Sequence, residues 1–148
     1  MKLISACLLG IRCNWRGNDG YKSNAAVKLS VSEGLIYVCP ERMGGLDSPR
    51  AQMEIIGGNG YDVLDGAAKV ITSDGADVTP KLVAGAEAVL KLALRLKANV
   101  FIGKARSPSC GCGAVYDGTF TDKAIAGDGV TAALLKRSGI EVISEDDI

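Results

Sequence analysis

The sequence predicts an α/β protein: a single domain with a mostly parallel, Rossmann-like sheet and helices on both faces. Short β-branched apolar runs alternate with segments of helical periodicity, the pattern of a parallel sheet covered by its crossover connections. The 148 residues suit one domain and bury roughly 70% of the unfolded chain's surface without staples. No linker-like tract, charge block or internal repeat divides residues 1–148.

From the start of the chain, Lys2 to Ala6 reads as a short buried strand ending at Cys7. Asn24 to Ser32 has helical spacing, with Val27 and Val31 on one face and Gly34 as the stop. Leu35 to Val38 is a second strand and ends at Cys39. Met53 to Ile56 and Lys69 to Thr72 read as extended, punctuated by Gly57-Gly58-Asn59-Gly60 and Asp65-Gly66. The clearest helix follows Thr79, an expected N-cap, with Pro80 at the first helical position. Leu82, Val83, Ala86, Val89, Leu90, Ala93, Leu94 and Leu96 give it a wide apolar face until about Lys97. Asn99 to Ile102 is a third buried strand. A last helix covers Val130 to Arg137, and after Gly139 a closing strand runs from Ile140 to Ile143.

Composition narrows the function. Seventeen Lys and Arg balance seventeen Asp and Glu, so no basic block offers duplex nucleic acid a docking surface. No apolar run approaches the ~20 residues that cross a bilayer. The segment Met1 to Cys7 is too short for a signal peptide. These features predict a cytoplasmic protein, monomer or homodimer, acting on a small molecule away from membranes. Histidine is absent, which excludes Ser/His/Asp and Cys/His catalysis and any His-ligated metal. Acid–base work then falls to Glu, Asp, Lys, Tyr, Cys or water.

Five cysteines stand out: Cys7, Cys13, Cys39, Cys110 and Cys112. They contain no Cys-x-x-Cys pair, so neither a zinc ribbon nor a thioredoxin-type site is spelled out. Cys7, Cys39 and Cys110 each follow a different predicted strand, and ligands of open parallel sheets bind beyond the carboxyl ends of the strands. Dispersed thiols of this kind suit an iron–sulfur cluster; the alternative is that some are small buried apolar residues. Glu41, two residues past Cys39, is either a base beside that centre or a solvated loop residue. Ser109 orients a substrate or caps a turn, and Trp15 and Tyr21 stack on a planar ring or cover core. Gly44-Gly45 with Arg50, and Gly127-Asp128-Gly129 before a helix, are either anion cradles or ordinary turns.

Four segments together carry a resemblance. These are Cys7-Leu8-Leu9-Gly10; Cys39-Pro40-Glu41 with Gly44-Gly45-Leu46 and Pro49-Arg50; Arg106-Ser107-Pro108-Ser109-Cys110-Gly111; and Gly127-Asp128-Gly129-Val130-Thr131-Ala132-Ala133-Leu134-Leu135. Over essentially the whole chain they resemble the thiouracil desulfidase family. The chain departs from that pattern at Asn14-Trp15-Arg16-Gly17, where the family has something closer to Arg-Tyr-Asp-Gly. The resemblance implies a [4Fe-4S] cluster held by Cys7, Cys39 and Cys110 with one open iron, leaving Cys13 and Cys112 outside the ligand set. It also implies a thiolated nucleobase as substrate, Glu41 as the base that activates water, and Ser109 as a substrate holder or proton relay. The net reaction turns a thiocarbonyl into a carbonyl and releases sulfide without redox change. The competing readings are a desulfurase of another thioamide, a sulfide carrier, a zinc-binding structural module and a redox thiol protein.

Overall fold

A computed structural model describes residues 1–148. In chain order its elements are β1 (Lys2–Ser5), α1 (Asn24–Glu33), β2 (Ile36–Val38), α2 (Pro40–Met43), β3 (Met53–Ile56), α3 (Gly60–Leu64), β4 (Lys69–Thr72), α4 (Thr79–Arg95), β5 (Val100–Gly103), β6 (Ala114–Tyr116), β7 (Ala124–Ala126), α5 (Val130–Arg137) and β8 (Glu141–Ser144). Single 3-10 turns cover Ala6–Leu9 and Glu145–Asp147.

Four strands form one wholly parallel sheet in the order β2-β1-β5-β8. Leu3 lies between Ile36 and Phe101 in the register, and Phe101 pairs with Val142. Alternation along the strands then separates two faces. Leu3, Phe101 and Val142 pack with Val89 and Ala93 of α4 and Ala132 and Leu135 of α5. Ile4, Val100 and Ile102 pack the other way, with Leu8, Ala26 and Leu35. Each fully buried Leu, Ile or Phe contributes about 1.5–3 kcal/mol. The α/β reading with helices on both faces therefore holds.

The strands β3 and β4 do not join this sheet. They pair antiparallel as a separate ribbon, as do β6 and β7. The first ribbon makes its own core, in which Met53, Ile55 and Val70 meet Val63, Leu82, Ala86 and Val130.

Three local expectations change. The buried contact of α1 is Ala26, while Val31 is 83% exposed, because a small residue brings this helix onto the sheet and turns Val31 outward. Leu94 of α4 is also exposed, at 60%. Thr79 is inside α4 rather than its N-cap, which is Val78 without a side-chain bond. The Thr79 hydroxyl is engaged elsewhere, accepting the Val70 N–H at 2.9 Å and tying β4 to the helix start.

Two short helices lie where glycine-rich segments read as turns. Asn59 and Asp62 cap α3 reciprocally, with Tyr61 N donating to Asn59 Oδ1 (3.0 Å) and Asn59 N to Asp62 Oδ2 (2.9 Å). The other, α2, begins at Pro40 directly after Cys39. It crosses α4 so closely that a Cβ on Gly85 would strike the Pro40 carbonyl, and one on Gly44 the Lys81 carbonyl. Gly44 is thus a contact point between helices, not part of an anion cradle.

No helix is long and apolar enough to cross a membrane. The site is positioned by strand order: from β1 the chain steps to β2 on one side, while β5 lies on the other. Such a switch point opens a crevice beyond the carboxyl ends of adjacent strands.

Candidate functional site

Three segments deliver side chains to this crevice. Cys7 lies in the 3-10 turn after β1, which Gly10 closes with a left-handed φ of 85° and an N–H donated to the Cys7 carbonyl at 3.2 Å. Cys39 is the N-cap residue of α2 and Glu41 lies in its first turn. Cys110 reaches the site because the chain after β5 folds back over the strand end. A Cβ on Gly103 would strike the Cys110 carbonyl.

That returning loop is held at both edges. The Ser107 hydroxyl accepts the N–H groups of Ser109 (3.2 Å) and Cys110 (3.1 Å). The first amides of α5 donate to the loop as well: Val130 N to Pro108 O at 2.8 Å, Thr131 N to Ser109 O at 2.9 Å, and Ala132 N to Ser109 O at 3.1 Å. The start of α5 therefore binds backbone carbonyls instead of an external anion. Asp128 is a tether, accepting Gly113 N (2.8 Å), Tyr61 OH (2.9 Å) and Lys136 Nζ (3.0 Å).

Burial alone would raise the Asp128 carboxyl, but these donors outweigh it and hold it below the ordinary carboxylate value of 3.8. A depressed native value stabilises the fold fully above the unfolded value, and that share is lost as the pH falls through the native one. Asp128→Asn is accordingly expected to cost about 1.5–3 kcal/mol at neutral pH and less in acid. Urea denaturation at pH 7 and pH 3 checks both signs, and a cost that grows in acid contradicts this role.

The crevice encloses about 320 Å³, and its walls include Cys7, Cys13, Cys39, Cys110, Glu41 and Ser109. The three cysteines expected at one rim do share this pocket. Cys112 lies outside it, directing its thiol to the Val142 carbonyl at 3.3 Å beside the sheet core. Cys13 is within it, on the loop before α1, and its backbone carbonyl accepts the Cys39 thiol at 3.8 Å. All five cysteines are free thiols.

The pocket disfavours uncompensated thiolates. Cys39 helps a Cys13 thiolate, but hydrogen bonding to Cys7 and burial prevail and push the Cys13 thiol up to about 11. Burial, with Glu41 and Cys39 nearby, pushes Cys110 up to about 12 despite hydrogen bonds from Ser5 and Ser109. The hydrogen bond to Cys13 and burial drive Cys39 upward too. A bound cationic centre reverses this balance and makes thiolates of the same groups.

Beside the thiols runs a polar chain. Arg50 donates to Glu41 Oε1 through Nη2 (2.8 Å) and Nε (3.1 Å), and the pair is nearly buried. The same guanidinium donates to the carbonyls of Cys13 (2.9 Å) and Asp47 (2.8 Å). Arg50 is thus committed to holding Glu41 and the Cys13 loop. Glu41 Oε2 remains free of it and accepts the Ser109 hydroxyl at 2.7 Å, with Cys110 Sγ 3.7 Å from the same hydroxyl. On the pocket wall, Trp15 Nε1 donates to Tyr21 OH at 3.1 Å, and Lys104 Nζ sits 4.6 Å from the centre of the Tyr21 ring.

Sequence reasoning thus named Cys7, Cys39, Cys110, Glu41 and Ser109, and the fold brings them together. It missed the place of Cys13 and the role of Arg50. The sequence signal for Cys13 was its place six residues after Cys7; Arg50 stood in the Pro49-Arg50 piece of the resemblance, but was read there as a partner for an anion and not for Glu41.

No group of three or more Cys, Asp or Glu is gathered tightly enough to hold a single metal ion. A polynuclear iron–sulfur cluster spreads its ligands further, around several irons, and takes thiolates from separate loops. Thiols on three segments around one cavity fit that donor set.

Comparison with known proteins gives the family and a fold of the same kind. Residues 3–147 match the family model described as 2-thiouracil desulfurase. The chain is 47% identical over its full length to the uncharacterized protein YbbK of Bacillus subtilis (strain 168), covering 97% of that relative. Its fold is similar to a solved structure of the [4Fe-4S]-dependent thiouracil desulfidase TudS, with a TM-score of 0.83 and 39% identity, over 99% of this chain and 91% of the other.

Proposed function

Because this chain belongs to the 2-thiouracil desulfurase family, we propose that it is a [4Fe-4S]-dependent desulfidase that converts the thiocarbonyl of a thiolated pyrimidine base, such as thiouracil, to a carbonyl and releases sulfide. The observation that carries this reading is the arrival of Cys7, Cys39 and Cys110 at one pocket with the Glu41–Ser109 pair. Those three cysteines would hold the cluster. Bound there, it supplies an iron without a protein thiolate, a thiophilic Lewis acid toward the substrate's sulfur.

The protein's own groups handle orientation and protons. Arg50 holds Glu41 through Oε1, so Oε2 faces Ser109. With its proton directed to Oε2, the Ser109 hydroxyl, which also lies 3.2 Å from Ser107 Oγ, would accept from a water admitted to the pocket. Ser109 passes the water's proton to Glu41, and the oxygen is freed to attack the polarised ring carbon. Trp15 and Tyr21 line the pocket that would receive a planar base. One water enters, one sulfide leaves, and the substrate's redox state is unchanged.

Anaerobic turnover of thiouracil by iron-loaded protein tests this. Uracil and sulfide are expected in equal amounts, over many turnovers, without added oxidant or reductant. A single stoichiometric release of sulfur would instead favour a sulfide carrier. No sulfide at all from fully loaded protein overturns the proposal.

A further inference from the structure

Glu54, in the middle of β3, carries a carboxylate that the desulfidation steps do not use. It is 2% exposed, and no ion pair of the protein includes it. Its neighbours Met53 and Ile55 face the apolar cluster built with α3 and α4, so alternation along the strand turns Glu54 to the opposite side. There it meets the loop between β6 and β7. Oε1 accepts the backbone N–H of Gly118 at 2.9 Å and that of Phe120 at 3.2 Å, while Oε2 is buried without a partner. Burying a carboxylate away from water and cations is costly. The two hydrogen bonds that compensate it come from one hairpin.

That hairpin needs an anchor. Each of its strands has three residues, all of β7 is exposed, and a lone two-stranded ribbon is marginally stable in water. Its loop also holds two residues other than glycine, Phe120 and Asp122, at left-handed φ angles of 57° and 59°, a conformation that persists only where the surroundings impose it. Gly118 passes so near β3 that a Cβ there would lie 2.7 Å from the Ile55 carbonyl oxygen. The hairpin in turn walls the pocket. Tyr116, at the end of β6, and Asp122, in the loop, line the same crevice as Glu41 and Ser109.

We propose that Glu54 is a positioning residue of the active site: it clamps the β6–β7 hairpin in the form that binds substrate, and so sets the affinity for the thiolated base without entering the chemistry. This rests on the reading of the pocket as the desulfidase site. Without the clamp the hairpin is competent only part of the time, and the apparent dissociation constant rises by the inverse of that fraction. Turnover of bound substrate survives, because Glu41 is held by Arg50 and the Ser109 loop by Ser107 and α5.

The experiment compares wild-type protein, Glu54→Gln and Glu54→Ala, each loaded with iron and sulfide anaerobically. The readouts are kcat per bound iron and KM for thiouracil, with hydrogen–deuterium exchange over residues 114–126. Glutamine keeps an oxygen acceptor for the two amides and alanine has none. Glu54→Ala is expected to raise KM about tenfold, the figure for a hairpin competent one-tenth of the time, with kcat little changed. Exchange at Gly118 and Phe120 should quicken several-fold, and Glu54→Gln should restore most of both changes. Faster exchange with an unchanged KM, or a loss confined to kcat, overturns the positioning role. Unchanged exchange overturns the clamp itself. These results leave the desulfidase reading intact, whereas iron-loaded wild-type protein that releases no sulfide overturns both. Should Glu54→Ala not fold, exchange of wild-type protein with and without uracil decides, since binding and clamp must strengthen each other reciprocally. Slower exchange at Gly118 and Phe120 with uracil bound supports the proposal, and an unchanged rate overturns it.

Discussion

Serine at Cys7, Cys39 or Cys110, one position at a time, is expected to leave the protein without bound iron, while Cys112→Ser loads as wild type does. The three pocket thiols arrive on independent segments, after β1, at the head of α2 and on the loop after β5. No neighbouring thiolate on the same segment replaces one that is lost, apart from Cys13 on its own loop. A serine hydroxyl is also a poor donor where iron–sulfur chemistry selects soft thiolates. The loss should exceed the roughly 10–100-fold that changes around metal ligands cost. Cys112 faces the Val142 carbonyl instead of the pocket, so its serine variant is a control for the chemistry of handling thiols. Iron and acid-labile sulfide per chain, with far-ultraviolet circular dichroism as a check on folding, measure this. A Cys112→Ser protein that fails to load, beside a Cys39→Ser protein that loads, would place the cluster elsewhere.

Glu41→Gln is expected to load its cluster normally and to lose about 10²–10⁴-fold in sulfide release, the range that general acid–base catalysis supplies. The amide keeps the size of the side chain but accepts at one atom where the carboxylate accepts at two, and it cannot take up the proton arriving through Ser109. It also leaves Arg50, nearly buried, without its counter-charge. Breaking such a pair can cost about 3–5 kcal/mol, so activity is best expressed per bound iron at a temperature where circular dichroism shows the variant folded. A variant that releases sulfide at the wild-type rate would clear Glu41 of the role of base.

The sequence by itself determined the class of fold and the chemical inventory. Apolar runs such as Leu3-Ile4 and Val100-Phe101-Ile102 could only be buried on both faces, which required a parallel sheet under helices. The absence of histidine and the placing of Cys7, Cys39 and Cys110 after strands pointed to a thiol-held centre, because strand ends in such sheets share one edge. What only the tertiary structure decided are the contacts between segments remote along the chain. Whether Thr79 caps its own helix or receives the Val70 N–H depends on where β4 lies. Whether Gly44 cradles an anion or lets α2 cross α4 depends on Gly85. Arg50 turns inward to Glu41 and the Cys13 carbonyl because the segment after α2 folds back on the loop before α1. Patterns of burial repeat along a sequence every two or 3.6 residues and can be read there. A pairing of side chains across the fold has no such period, so it exists only once the chain has closed on itself.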